Sequence, residues 1–535
     1  MLKAMDLIKT ALTNRKFIGD MEDTAETLEK YSHDASMFEI LPKLVIAPKT
    51  AKDIEIAVKL VADNKKTNES LSLTARSAGT DMSGAAINDS IIVDFNKYLT
   101  EIVSVKKDIA VAQPGVFFRD FDKATGDYLL PSFPASRDLC TVGGMVNNNS
   151  GGEKSLEFGK TDKYVPSLKF VFADGVERVV KPLNRDELNV KMAQDDFEGK
   201  VYKKLFELVD THYDQIKAAK PNVSKDSTGY HLWNVWDRKT GIFDLAQAII
   251  GAQGTLGFTT EATFKLVPRP KHSGLLVLFM RDIDELGELI PKVLAHKPAT
   301  FESFDDATLW LVIKFMPSFL GMLGPIGFVT FLFSLIPEGF QLLRGIPKLV
   351  LMVEFTGETE EEVRGKLRRL HKELRHLKAR YEINGFEENP TEASSEKFWI
   401  MRRRSFQLLR SKVKDKHTAP FIDDLVVNPE HLAEFLPKIR VIVKKYKLFA
   451  TIAGHMGDGN FHIIPLMNIE KESERKKLLP AMKEVNELVL SYGGSLSGEH
   501  NDGLVRGPWL EQMYGKDMVD PVSYTHLTLP TKRIV

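Results

Sequence analysis

The period of the apolar positions changes along the chain, and the changes mark its elements. Ile54, Val58 and Val61 recur at helical spacing behind Thr50 and Asp53, which carry the signature of a capping box. Short apolar runs at 71–75, 91–94 and 110–112 have the length of buried strands, and 117–125 returns to a helical pattern. A hairpin is predicted over 168–172 and 177–180, turning at Asp174-Gly175, followed by a strand over 258–266. Pro268-Arg269-Pro270 then punctuates the chain. Beyond it, strands at 274–280, 299–304 and 349–355 alternate with helices at 282–296, 358–376, 391–413, 429–445 and 476–492. That order predicts a helix-covered antiparallel sheet as a second domain.

The last strand pair frames the densest chemistry. Strands at 448–453 and 461–465 flank Gly454-His455-Met456-Gly457-Asp458-Gly459-Asn460, where Gly457-Asp458-Gly459 offers positive φ for a tight connection. His455 and His462 then leave one turn and can converge. Glu499, in Gly498-Glu499-His500, offers a third ligand of a two-His, one-carboxylate set that leaves coordination positions open. His500 is a spare base. A single buried His is ordinarily a satisfied core residue, but three ligand types and a fourth His, all in Gly-rich turns, favour a metal or catalytic site. The metal is left open by these residues, and so is the reaction.

Three Gly-rich loops in the first half point to a polyphosphate-bearing cofactor lying along backbone amides. They are 76–84 (RSAGTDMSG), 140–152 (CTVGGMVNNNSGG) and 251–257 (GAQGTLG). None has the spacing of a P-loop or of a dinucleotide-binding fingerprint. One segment interrupts the soluble pattern: 315–337 is free of charge and rich in Phe, Leu and Ile, but broken by Pro317 and Pro325. It reads either as an apolar insertion that meets a bilayer face or a partner, or as a buried helical hairpin.

Composition narrows the classes. The 535 residues carry 73 basic and 73 acidic side chains, so no global field attracts nucleic acid. The single cysteine, Cys140, excludes a disulfide framework and a cysteine-ligated iron–sulfur cluster within these residues, and fits a reducing compartment. Residues 1–13 lack the apolar core of a signal peptide, which gives a cytoplasmic expectation.

Taken in order, the loop at 76–84, CTVGGMVNNNSGG, GAQGTLG, GHMGDGNFH and GEHNDG resemble the FAD-linked D-2-hydroxy-acid dehydrogenases of the vanillyl-alcohol-oxidase superfamily. The resemblance covers roughly residues 35–515. It implies an α+β fold: a helical lead-in (1–35), a PCMH-type FAD-binding domain (36–270) and a ferredoxin-like substrate cap (271–515) with an apolar insertion at 310–348. The FAD diphosphate would lie on Arg76, Ser77, Ala78, Gly79, Thr80 and Gly84 and on Pro134, Thr141, Gly143, Gly144, Asn148 and Gly151. Gly254, Thr255 and Gly257 would meet the adenine and ribose end. Gly79-Thr80 stands where many relatives carry a flavin-tethering His, so the FAD is expected to be noncovalent.

The same resemblance makes His455, His462 and Glu499 ligands of a divalent metal, zinc or manganese. It makes His500 the catalytic base, Arg402 the clamp for the substrate carboxylate and Asn460 a contact to substrate or flavin. The implied reaction is oxidation of a D-2-hydroxy acid, of the D-lactate or D-2-hydroxyglutarate class, with electrons passed to a quinone, cytochrome, flavoprotein or iron–sulfur partner. The alternatives are a non-redox flavoenzyme like the alkyl-dihydroxyacetone-phosphate synthases, or a flavin subunit of a larger glycolate-oxidase-type complex. Peripheral contact with the inner face of the cell membrane would run through 315–337.

The chain departs from the family pattern at Asn501-Asp502, where many relatives have Gly-Ile, at Arg506, where many have Lys, and at His417, about where some place a substrate-binding Lys; the subgroup tolerates Asp502 and Arg506, but Asn501 is unusual. Residues 516–535 fall outside the pattern. From 522 on they resemble a translated sequencing-adapter scar, so the natural chain is expected to continue differently.

Overall fold

The computed structural model describes residues 2–306, 308–309, 345–412 and 417–524. The insertion at 315–337, and with it the reading of a bilayer or partner contact, lies outside the described residues. Among the described residues no helix is long and apolar enough to cross a membrane.

The first domain holds two main sheets and, among its described residues, two two-stranded ribbons, Trp236–Asp237 with Ile242–Phe243 and Tyr128–Leu129 with Val267–Pro268. In the smaller main sheet, Asp20–Glu22 from the N-terminal lead-in pairs antiparallel with Leu44–Ala47, and Ile91–Asp94 and Leu73–Arg76 continue it in parallel. Leu44–Ala47 and Ile91–Asp94 are buried throughout, as expected of parallel strands covered on both faces. Helix Ala51–Asn64 packs on them through Ile54, Val58 and Val61. Its capping box is formed as expected, with Thr50 accepting from the Asp53 amide, a contribution of about 1 kcal/mol. The larger sheet is five-stranded and antiparallel, in the order Ile102–Lys106, Ile109–Ala112, Phe258–Lys265, Ser167–Val171, Glu177–Val180. Its last hairpin turns at Gly175, whose φ is 75°.

The second domain is one eight-stranded antiparallel sheet. His272–Met280 and Leu349–Gly357 lie between Ile383–Asn389 and Thr300–Asp305, and Phe449–His455 and Asn460–Met467 extend the sheet from Thr300–Asp305. Side chains alternate between faces with a period of two. Leu276, Leu278, Leu351 and Val353 face helices Leu286–Ala295, Glu360–His376, Leu432–Lys445 and Glu472–Ser491. Leu275, Val277, Val350 and Met352 face helix Glu392–Lys412 through Phe398, Trp399 and Met401. Strands buried on both faces explain the unbroken apolar runs in the sequence.

This alternation places the site. Phe301 sends its side chain to the four-helix face and Phe304 to the other, so Glu302 shares the face of Phe304. By the same count Ala453 and His455 lie on that face, as does His462, because Phe461 and Ile463 point away. The family-type motif thus puts both His residues on one surface of a sheet.

Candidate active site

The three Gly-rich loops of the first domain converge. Gly144 opens toward Ser77, where a Cβ would stand 3.2 Å from the Ser77 hydroxyl, and Gly254 abuts Ala75 at the same distance. Gln253 donates to Ser83 and to Asn148, tying the third loop to the first and second. A cleft runs between them, lined by Thr74, Ala75, Gly84, Asn88, Gly254 and Thr255. Among the described residues no protein acceptor meets the amides of Ala78, Gly79 and Thr80, as suits a loop built to hold an anion. Arg76 lies beneath this loop: its guanidinium stacks 5.1 Å over the Tyr31 ring, and a Cβ on Gly79 would collide with it at 2.6 Å.

Not every glycine in these loops serves approach to a cofactor. Gly143 is required by Pro114, which a Cβ would meet at 2.3 Å, and Gly257 by Phe170 at 2.3 Å. Pro134 abuts Gly152, and Thr141 caps helix Val142–Asn148 by accepting from the Gly144 amide. Thr255 bonds to Tyr230 and Ala252. Cys140 is buried, and burial pushes its thiol up to about 12, so it packs as a small apolar residue.

The predicted hairpin forms as Phe449–His455 and Asn460–Met467. Its turn differs from the expectation in one respect: only Gly459, at φ 65°, takes positive φ, and there a Cβ would strike the Val427 carbonyl. Gly457 is instead a close-packing position against Leu156 and Phe301. The turn brings the rings of His455 and His462 to 5.4 Å between centroids, and His500 stacks on His462 at 5.0 Å.

All three imidazoles turn Nε2 toward one atom, Oε1 of Glu499, at 3.1 Å from His455, 3.3 Å from His462 and 4.0 Å from His500. Their Nδ1 atoms face buried carboxylates. His455 Nδ1 lies 2.5 Å from Glu302 Oε1, and His462 Nδ1 lies 3.1 Å from Asp423 Oδ1. His500 Nδ1 is 2.9 Å from Asp423 Oδ2, though out of line for a full hydrogen bond. A carboxylate at Nδ1 keeps a proton on that nitrogen, so a metal would bind by displacing the proton at Nε2, the outer arrangement of metal-binding imidazoles.

Asp424, His462, Glu499 and His500 each offer a ligand atom within 4.8 Å of the others. Asp424, however, already accepts from Asn460 Nδ2, Ser497 Oγ and the amides of Glu499 and His500. It organises the loop, and its own φ of 66° is a left-handed conformation held by this network. Of the three expected ligands this group contains His462 and Glu499; it takes in His500 and leaves out His455, whose Nε2 nevertheless faces Glu499 Oε1 at 3.1 Å, and this donor set fits a divalent cation. Around them the carboxylates Glu302, Asp423, Asp424, Asp458 and Glu499 are met by Lys225, Arg402, Arg506 and the imidazoles themselves, with Lys160 close behind at the Gly498 carbonyl.

Burial would lower the imidazole pKa values, but the carboxylates outweigh it. Asp423 and Glu499 hold His462 up at about 10; His455 is raised by Glu302, and His500 by Asp424 and Asp423. Burial would likewise raise Glu499, yet Lys225 and His455 keep it well below the usual carboxylate range.

Arg402 is reached by helix Glu392–Lys412 and pairs with Glu302 at 3.0 Å, so Glu302 joins the candidate carboxylate clamp to a candidate metal ligand. Asn460 donates to Asp424 and to the Leu425 carbonyl, which places it behind the loop that carries His500. Asn501 has φ 64°, a conformation Asn tolerates best after Gly, and its amide donates to the Gly251 carbonyl at 2.6 Å. The departure from Gly is thereby accounted for. Arg506 pins the same turn through the carbonyls of Asn501 and Asp423. His417 is exposed at the sheet edge.

Sequence reasoning missed Glu302, Asp423, Asp424, Asp458 and Lys225. Asp423-Asp424 had a signal, two acids inside the apolar run 419–427, and so had Glu302, a charge between Phe301 and Phe304 in a buried strand. Lys225 had none.

Residues 42–180 match the FAD binding domain family, and residues 269–524 match the FAD linked oxidases, C-terminal domain. The second match takes in helix Lys516–Tyr524, at the start of the stretch read as foreign. The chain is 27% identical to D-2-hydroxyglutarate dehydrogenase of Pseudomonas putida over 95% of its own length and 49% of that protein's. It thus spans about half the length of that relative and of others matched with it. Glycolate oxidase subunit GlcD of Bacillus subtilis is 25% identical, over 92% of this chain and 87% of that one. Among solved structures, 4-ethylphenol oxidase from Gulosibacter chungangensis superposes with a TM-score of 0.66 at 12% identity, covering 98% and 97% of the two chains. The class is that of two-domain flavoproteins with a PCMH-type FAD-binding fold. Within it the chain carries both the FAD binding domain and the C-terminal domain of FAD linked oxidases, and FAD is its cofactor.

Proposed function

We propose that the chain oxidises a D-2-hydroxy acid, of the D-lactate or D-2-hydroxyglutarate class, to the 2-oxo acid and passes the electrons to an acceptor other than NAD. The observation that carries this reading is the focus of three imidazole Nε2 atoms on one oxygen of Glu499, beside Gly151 of the Gly-rich run. When bound, FAD accepts the hydride from Cα, and a divalent cation, zinc or manganese, lowers the pKa of the substrate hydroxyl. His455, His462 and Glu499 would hold that cation.

The remaining work falls to this chain's own groups. His500 accepts the hydroxyl proton at Nε2, while Asp423 at Nδ1 steadies the imidazolium that results. Arg402 orients the substrate carboxylate, held ready by Glu302. Asn460 supports His500 through Asp424, a positioning role in place of the direct contact expected from the motif. His455, Glu499 and the carboxylates behind them are buried, while His500 keeps an open side toward the substrate. FAD is bound noncovalently on this reading, with Cys140 in the core and Thr80 where a tethering His would stand. The acceptor is a protein or quinone partner, and the chain works in the cytoplasm or at the inner face of the membrane.

Turnover of a panel of D- and L-2-hydroxy acids with an artificial acceptor tests the reading. D-acids should reduce the acceptor in a chelator-sensitive way. Activity only on L-acids, or on phosphorylated ketones without net redox, would contradict it.

A further inference from the structure

Segment 224–229 of the first domain lies along loop 495–502 of the second. Ser227 donates from its amide to the Ser497 carbonyl and from its hydroxyl to the Gly498 carbonyl, Gly229 donates to Asp502, and Ser224 donates to Asp458. In the middle of this seam stands Lys225, 1% exposed. Its ammonium is 3.3 Å from Glu499 Oε2, 3.4 Å from Asp458 Oδ2 and 3.1 Å from the Gly152 carbonyl. One side chain therefore touches the carboxylate at the imidazole focus, the turn between the two His residues and the Gly-rich run of the FAD domain. The division of Glu499 is clear: Oε1 faces the imidazoles and Oε2 faces Lys225.

We propose that Lys225 is a positioning residue that holds Glu499 to a one-oxygen presentation and thereby sets which divalent cation the cluster prefers. The inference rests on the metal reading above. A carboxylate tied down at Oε2 offers one oxygen and, with two imidazoles, makes the compact N,N,O set that zinc accepts. Without the ammonium, Oε2 is free to chelate, and a two-oxygen carboxylate suits larger, oxygen-preferring ions. Removing the positive charge also strengthens attraction for hard cations. Both effects move the preference in the same direction, from zinc toward manganese.

The test uses the FAD-loaded full chain and measures zinc and manganese affinities by competition with a chromophoric chelator. Lys225→Met should lower the zinc-to-manganese affinity ratio about tenfold or more, the scale of outer-shell effects on metal sites. Lys225→Gln, which keeps a donor for Oε2 and loses the charge, should shift it less. The ratio separates positioning from a general structural defect, because loosening of the fold weakens both affinities together and leaves their ratio unchanged. A ratio within twofold of wild type in both variants overturns the proposal. Should Lys225→Met fail to hold FAD, Lys225→Ala, which also frees Oε2, takes its place by the same criterion. Wild-type protein that binds neither ion overturns the metal reading itself, and this inference with it.

Discussion

The glycine cradle of the first domain and the imidazole cluster of the second meet where Gly151 faces Glu499, yet they are made of different materials. The cradle is backbone: its loops recognise through amides, and glycines keep side chains out of the way. The cluster is side chain: charges brought from six segments, each held by another buried charge. A backbone site tolerates sequence change wherever the main-chain path survives. A site of mutually compensating charges does not, because removing one leaves its partner buried and unpaired.

Substitutions sharpen this contrast, beginning with the reacting group. His500→Ala should slow flavin reduction by about two to four orders of magnitude while FAD content stays normal, read by rapid anaerobic mixing. Equal loss of FAD would mean that cluster and cradle are not separable. Lys154→Ala probes charge at the domain seam, where its half-buried ammonium pairs with buried Glu354. Stability should fall by about 3–5 kcal/mol in denaturant unfolding, because Glu354 is left buried without its cation. Gly79→Ala tests the backbone side: positive φ and the Arg76 guanidinium both oppose a Cβ, at about 1–2 kcal/mol. That loss should appear as weaker FAD binding, with metal affinity unchanged.

The smallest effect concerns pH. Asp34, buried with its Oδ2 unpartnered, is pushed up to about 7, by burial first and by Asp81 second. A carboxyl raised in the folded state stabilises below its unfolded pKa of about 4 and loses that contribution as pH rises through 7. Asp34→Asn should therefore raise the melting temperature at pH 8 and not at pH 4. The gain is on the order of 1 kcal/mol, since the new amide is also left without a partner. A gain equal at both pH values would refute the assignment.

The contrast also explains what could be read from the sequence. Capping box, strands and hairpins follow from local patterns, and the observed ends lie within a few residues of those predicted. The inner cluster was legible because His455, Asn460 and His462 share one hairpin and Glu499 and His500 are neighbours. Its supports were not. Glu302 is separated from His455 by 153 positions and Lys225 from Glu499 by 274, and nothing local marks such pairs. The Gly-rich loops were legible as loops, but which glycines faced a cofactor was not, because Gly143 and Gly257 answer to Pro114 and Phe170. Asn501, which breaks the family pattern in sequence, keeps it in conformation.

The most direct test of the account is anaerobic mixing of the oxidised, metal-loaded holoprotein with the two enantiomers of a 2-hydroxy acid such as lactate or 2-hydroxyglutarate. The D-enantiomer should bleach the flavin, the L-enantiomer should not, and a chelator should abolish the bleaching while FAD remains bound. A flavin that no D-2-hydroxy acid reduces, or one reduced equally well after complete removal of the metal, would contradict it.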